Sequence, residues 1–335
     1  MIETRFGDIA KQSALRRVGA GLKQDVARLS QELASGRVAD KPRHLGGDLA
    51  RLAGLSLAQE KTLVHKRTAE GASLILDAQQ TVTDDLNQLS QRRFQEIIML
   101  EQSGSASSLP VVIETMTQGF SEIVGKLNIS IAGRSILSGA ASDGPALAKA
   151  DQLLDSIIAS LPSGASASDL VAHVEDWFSA GGSFDTLGYL GAPPVPARLD
   201  LGQGVTTSLD VTAQDPAFRT TLAAFAMGAL LSRGIFTGDQ GSQKAVLASA
   251  GQRLAASSAA LTDLSARLGV EEAKLARATT RAVSEHTAIS IALSSLREAD
   301  PYATATRLEQ TMVQLDLVYT LTARLSRLSL VEYLR

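Results

Sequence analysis

The chain has 335 residues, a formal net charge of −3 and no cysteine. The length allows two or three domains, the missing cysteine excludes disulfide frameworks and thiolate chemistry, and the charge gives no general electrostatic case for nucleic acid. Hydrophobic residues reach 44% while aromatics are only 4%, which favours Ala- and Leu-rich helices in close contact over an aromatic-lined pocket.

The opening residues, Met1 to Asp8, lack the apolar core and small-residue cleavage site of a secretory signal peptide, and no apolar run of about 18 residues suggests a membrane span. From Ser13 to Leu33, apolar residues fall at Leu15, Val18, Leu22, Val26, Leu29 and Leu33. They repeat after eleven residues and give one sticky face on a helix. Ser35-Gly36 supplies a stop, and Pro42 and Gly46-Gly47 mark a loop. Asp48 reads as the N-cap of a second helix whose leucines continue without proline to about Gln102. A Ser/Gly turn follows, then a third helix from Leu109 to Asn128, with Pro110 in its first turn.

Gly133 to Pro145 reads as a loop. Ala146–Leu161 and Ser168–Ser179 are short helix candidates, Gly181–Pro196 is irregular, and Ala197–Leu201 and Thr206–Val211 form a hairpin around Gly202-Gln203-Gly204. Asp215-Pro216 starts a helix through Leu231. Charge is uneven: Met1 to Arg51 carries ten Lys/Arg against six Asp/Glu, whereas Asp143 to Asp215 carries ten acids against Lys149 and Arg198.

The stretch from Gln243 to Arg297 holds Leu247, Leu254, Leu261, Leu268 and Leu275, then Ala282, Ile289 and Leu296, in one seven-residue register. Such a stripe requires another helix along it, and about 55 residues would make a rod of about 80 Å. A basic-region zipper would need a Lys/Arg-dense helix just upstream, where only Arg233 stands. Ala250, Ser257 and Glu271 stand where a parallel dimer would place a second apolar residue, with only Leu264 fitting, so the partners are expected within the same chain, through close Ala and Ser contacts. After Asp300-Pro301, a last stripe runs through Leu308, Met312, Leu315, Val318, Leu321, Leu325 and Leu328. Its simplest burial is against the first helix.

No catalytic or cofactor-binding constellation emerges. His173 and Glu175 form an H-x-E triplet without the C-x-x-C that a zinc deaminase needs, and the four histidines lie far apart with no metal-ligand spacing. Gly202-x-Gly204 lacks a third glycine and a following helix. The pairs Asp84-Asp85 and Glu271-Glu272 read as solvated faces.

Leu29-Ser30-Gln31-Glu32-Leu33-Ala34-Ser35-Gly36-Arg37-Val38-Ala39 resembles the stretch that closes the first helix of bacterial flagellins. Leu328-Ser329-Leu330-Val331-Glu332-Tyr333-Leu334 is similar to the ending of the flagellar hook-filament junction proteins (hook-associated protein 3). Gly133 to Gly139, with Asp143 and Pro145, also looks like that family's segment ahead of its variable region. The likeness covers both arms, and only loosely, around Val211–Arg219, the middle. The usual acidic pair after Lys41-Pro42 is absent, and Ser135-Ile136 replaces an aromatic.

The resemblance implies a mainly α chain: an elongated antiparallel helical bundle or coiled coil built from N- and C-terminal arms, with an inserted small mixed α+β module. The expected segments are 1–46 and 300–335 for terminal assembly, 47–139 and 235–299 for the helical arms, and 140–234 for the insert. It further implies a non-enzymatic flagellar subunit exported without a cleaved leader and located outside the cell. The stripes Leu15 to Leu33 and Leu308 to Leu328 would serve self-assembly. The expected partners are copies of itself, a second hook-associated protein, flagellin and an export chaperone, with no cofactor and no nucleic acid. Filament flagellin, and an intracellular coiled-coil adaptor or chaperone, remain the alternatives.

Overall fold

The computed structural model describes residues 2–47, 49–103, 107–193 and 198–333, with side chains described between residues 13 and 325. In these residues the chain is mainly α: α1 Ile2–Ser35, α2 Lys41–His44, α3 Ala50–Ser103, α4 Leu109–Leu127, α5 Ala150–Ser160, α6 Ala167–Phe178, α7 Pro216–Ser232, α8 Gln240–Arg297 and α9 Pro301–Tyr333. Two short antiparallel hairpins interrupt them, β1 Ser130–Ile131 with β2 Arg134–Ser135, and β3 Leu199–Asp200 with β4 Thr206–Thr207. Among the described residues, no helix is long and apolar enough to cross a membrane.

Local chemistry sets the helix starts. The Asp215 carboxylate accepts from Ala217 N ahead of α7, Asp239 accepts from Gly241 N and Ser242 N ahead of α8, and Asp300 accepts from Tyr302 N and Ala303 N ahead of α9. Each satisfies amides that have no carbonyl partner in a first turn, and Pro216 and Pro301 add a preset φ. Asp48, the expected cap of α3, lies outside the described residues.

The expected loop at Gly133 instead belongs to the β1–β2 hairpin, whose two turn residues, Ala132 and Gly133, have φ of 50° and 78°. That is the turn chemistry of a tight two-residue hairpin; flanking strands of two residues left no alternation to read. The β3–β4 hairpin forms around Gly202 to Gly204 as expected but is shorter than Ala197–Leu201 and Thr206–Val211; Ala197 lies outside the described residues. Within the irregular stretch, Phe184–Gly188 forms a single π-helical turn.

The chain divides into two compact units, Met1–Thr62 with Ser284–Arg335, and Leu63–Val283, and the divisions fall within α3 and α8. The second unit holds the larger core. Leu247, Leu254, Leu261, Leu268 and Leu275 are all buried, and so are Ala250, Ser257 and Leu264 between them and Ala278 after them. A glycine next to Ala250 lets α8 approach its neighbour: a Cβ on Gly251 would sit 3.1 Å from Ile97 of α3. The buried Ser257 hydroxyl donates to Leu254 O, 2.9 Å away, so it adds no unpaired polar group. Packing against helices of the same chain follows the sequence expectation.

The acidic insert finds its counter-charges on α7, just after it, and on α8. Arg233 reaches Asp151 and Asp155, Arg253 reaches Glu175, Arg219 reaches Asp185, and Arg267 reaches Asp215. Gln79 of α3 donates through Nε2 to Ile136 O and Val211 O, at 3.2 and 3.3 Å, so one side chain ties the segment just before the insert to the segment that leads into α7.

Arg219 is the densest of these nodes. It donates to Gln214 O at 2.7 Å and Ser179 O at 2.9 Å, and its guanidinium lies 5.0 Å from the centre of the Phe184 ring. Phe184, Phe178 and the sole tryptophan, Trp177, pack as a trio with ring centres 4.7 to 5.9 Å apart. Burial alone would raise the Asp185 carboxyl. Hydrogen bonds from Arg219, Gly181 N and Gln214 outweigh it, and Asp185 sits below its ordinary value. A folded-state value below the unfolded one stabilises above the unfolded carboxyl range, about pH 4, and that stabilisation is lost as pH falls through the lowered value. Urea melts followed by Trp177 fluorescence at stepped pH are therefore expected to weaken into acid. Arg219→Met is expected to lower stability at pH 7 and flatten the acid slope. An unchanged slope would remove Asp185 as a cause.

Candidate functional site

The feature with functional content is the terminal helix pair of the first unit. In α1, Leu15, Gly19, Leu22, Val26 and Leu29 are half-buried or buried. Their spacing alternates between four and three residues, which keeps one line along a helix facing a partner helix. In α9, Thr304, Leu308, Thr311, Leu315, Val318 and Thr322 follow the same alternation and are also buried or half-buried. The helices run antiparallel: the end of α1 lies beside the start of α9, with Ala299 N donating to Gly36 O, while a Cβ on Gly19, earlier in α1, would lie 3.6 Å from Val318, later in α9, and Lys23 Nζ lies 5.4 Å from the centre of the Tyr319 ring.

One end of the pair is closed by a corner. Gly36 has φ +66° and returns its N–H to Glu32 O at 2.9 Å, the left-handed residue that ends a helix. The chain then lies beside the α8–α9 break, with Val38 N donating to Arg297 O at 2.9 Å and Ala299 N donating to Gly36 O at 3.0 Å. Glu32 is buried at the same corner. Its carboxylate accepts from Ala39 N at 3.0 Å and lies 3.6 Å from the Arg28 guanidinium, which also binds Asp25 at 2.6 Å.

The structure sorts the predicted stripe residues into three groups. Leu15, Leu22, Val26, Leu29, Leu308, Leu315 and Val318 face the α1–α9 seam. Val18, Leu33, Met312, Leu321 and Leu325 are exposed, at 41 to 52%. The Leu328 side chain lies outside the described residues. The eleven-residue repeat places Val18 on the stripe, where the four-three spacing of the seam takes Gly19; Leu33 keeps the spacing but is exposed near the end of α1. Reading for leucines also missed the seam threonines. Thr311 and Thr322 donate their hydroxyls to Arg307 O and Val318 O of their own helix, which leaves a nearly apolar surface for the seam. Val313, Leu317, Tyr302 and Tyr319 are exposed as well, so α9 offers apolar surface beyond the part that α1 covers. A concentration of exposed large apolar groups on one element marks an association surface more often than a catalytic one.

The other singled-out residues take structural roles. His173 bonds Ser160 Oγ at 3.0 Å and contacts Ile157 O at 3.3 Å, whereas Glu175 pairs with Arg253. The two point to different partners, and no metal-binding group of three His, Cys, Asp or Glu occurs among the described residues. Asp85 and Glu271 are more than solvated faces: Asp85 meets Lys126 at 2.6 Å, and Glu271 accepts from Thr207 at 2.9 Å. Glu272 is raised above its ordinary value by burial, then by Asp77 and Asp84.

Residues 253–334 match the bacterial flagellin C-terminal helical region. That span takes in α8 from Arg253 onward and all of α9, so the exposed apolar groups of α9 lie inside the flagellin-like segment. A solved structure from Vibrio parahaemolyticus, described as that of a flagellar hook-associated protein, has a similar fold, with a TM-score of 0.51 at 12% identity. The correspondence covers 73% of this chain and 96% of that one. No curated protein sequence matches the chain. The flagellin-like segment contributes one side of the α1–α9 seam, and α1, from the opposite end of the sequence, contributes the other.

Proposed function

We propose that this chain is a non-enzymatic structural subunit of the bacterial flagellum, and within it the junction protein that adapts hook to filament. The observation that carries the proposal is the flagellin-like segment, whose last helix pairs with α1 and still exposes Val313, Leu317, Leu321 and Leu325. Assembly would bury those groups between copies, each fully buried side chain contributing about 1.5 to 3 kcal/mol in transfer terms. The likeness to a hook-associated fold and the end motif Leu328 to Leu334 favour the junction role, with a second hook-associated protein, flagellin and an export chaperone as neighbours and a place outside the cell. The flagellin match keeps filament flagellin as the second reading.

The test is assembly of the purified chain, alone and on isolated hooks, viewed by negative-stain microscopy. A short ring confined to hook ends supports the junction role. Long filaments from the chain alone support flagellin. A chain that forms neither and stays in the cytosol of its cells overturns both in favour of an intracellular coiled-coil protein.

A further inference from the structure

The corner of the α1–α9 pair is closed more fully than most of its seam. Leu29, Glu32, Ala299 and Thr304 there are all 7% exposed or less, whereas Leu15, Leu22, Val26, Leu308, Leu315 and Val318 are half-buried and only the small Gly19 is buried further along. The corner also concentrates polar fastening, with two backbone hydrogen bonds between residues 36–38 and 297–299. Glu32 is the buried charge there. Its carboxylate spans seven residues to hold Ala39 N after the chain has turned, and Arg28, one helical turn earlier, balances it.

We propose that this corner is a one-ended clamp that sets the register of α1 against α9, with Glu32 as the positioning residue, so that the pair closes from the corner towards the chain ends. A buried carboxylate whose acceptor site is filled by a backbone amide fixes the turn in one arrangement, since leaving either group unpaired in a buried place is costly. The apolar seam alone is a weaker ruler: a slip of seven residues would restore much of the same four-three pattern. The inference concerns the single chain. Through the assembly reading it adds a consequence, that copies meet with their terminal seams already in register.

Hydrogen exchange on the dilute, unassembled full chain tests it, because local opening reports the stability of each segment separately. Amides of residues 29–35 and 302–308 are expected to exchange at least about tenfold more slowly than those of 13–19 and 318–325. Glu32→Ala is expected to erase that gradient on both helices while the Trp177 unfolding midpoint stays fixed. Glu32→Gln, which keeps an acceptor for Ala39 N, is expected to restore most of it. A flat or reversed gradient in the natural chain, or a gradient untouched by Glu32→Ala, overturns the clamp. Sedimentation of the natural chain at high concentration separates the two readings: a graded chain that never assembles keeps the clamp and removes the assembly role, and an assembling chain with a flat gradient does the reverse.

Discussion

Removal of Leu308 to Arg335 is expected to abolish assembly completely while leaving the Leu63–Val283 unit folded. The deletion takes away Leu308, Leu315 and Val318, which face α1, and Met312, Val313, Leu317, Leu321 and Leu325, which face outward. Both the seam within the chain and the surface offered to neighbours go together. Helix α1 is then left with Leu15, Leu22 and Val26 on one face and no partner, and an amphipathic helix without its packing partner keeps little of its stability. The second unit has its own core in α4, α7 and the early part of α8. Trp177, 1% exposed inside it, therefore gives an independent reading. The expected result is loss of every sedimenting assembly, with reduced far-ultraviolet helicity and an unchanged urea midpoint by Trp177 fluorescence. Assembly by the truncated chain would sink the proposed mechanism. A lowered Trp177 midpoint would show that α9 also supports the second unit.

The same contrast between the two units explains which features were legible in the sequence. Long helices were readable because a heptad such as Leu247 to Leu275 repeats one physical demand over many turns, and because Asp215-Pro216 and Asp300-Pro301 combine a cap with a preset φ. The hairpin at Ala132-Gly133 was not, since four strand residues carry no period. Seam residues were half legible. The eye follows leucine, yet a helix face is defined by spacing, and Gly19, Thr311 and Thr322 hold seam positions that Val18 and Met312 do not. Glu32 was invisible for a different reason: a glutamate near a helix end is ordinarily solvated, and only the return of the chain through Gly36 places Ala39 N against it. The Arg219 node is similar. Its partners at Ser179, Asp185 and Gln214 are brought together by the fold of the insert, which no periodicity encodes.

Within the second unit, the largest single-residue loss is expected at Phe225. Helices α4 and α7 cross antiparallel through two reciprocal notches: a Cβ on Gly119 would overlap the Phe225 ring, and a Cβ on Gly228 would fall 2.6 Å from Met116 Cβ. Phe225 and Met116 are both fully buried. Phe225→Ala removes a fully buried ring from a notch that Gly119 leaves open, so a cost of about 3 to 5 kcal/mol is expected. Against a usual total of about 5 to 15 kcal/mol this is enough to move the Trp177 midpoint strongly. Gly119→Ala acts from the other side. It gains about 1 kcal/mol of helix propensity, but overpacking of a closed core costs about 1 to 3 kcal/mol, and the net change is expected to be a loss because a fully buried ring has nowhere to turn. The double variant decides the origin of that loss. If the ring is the obstacle, Gly119→Ala becomes neutral or stabilising once Phe225→Leu has shortened the side chain, with a coupling of about 0.5 to 3 kcal/mol between the two sites. Additive losses would show that Gly119 is required by the α4 backbone itself, and the notch would no longer account for the close approach of the two helices.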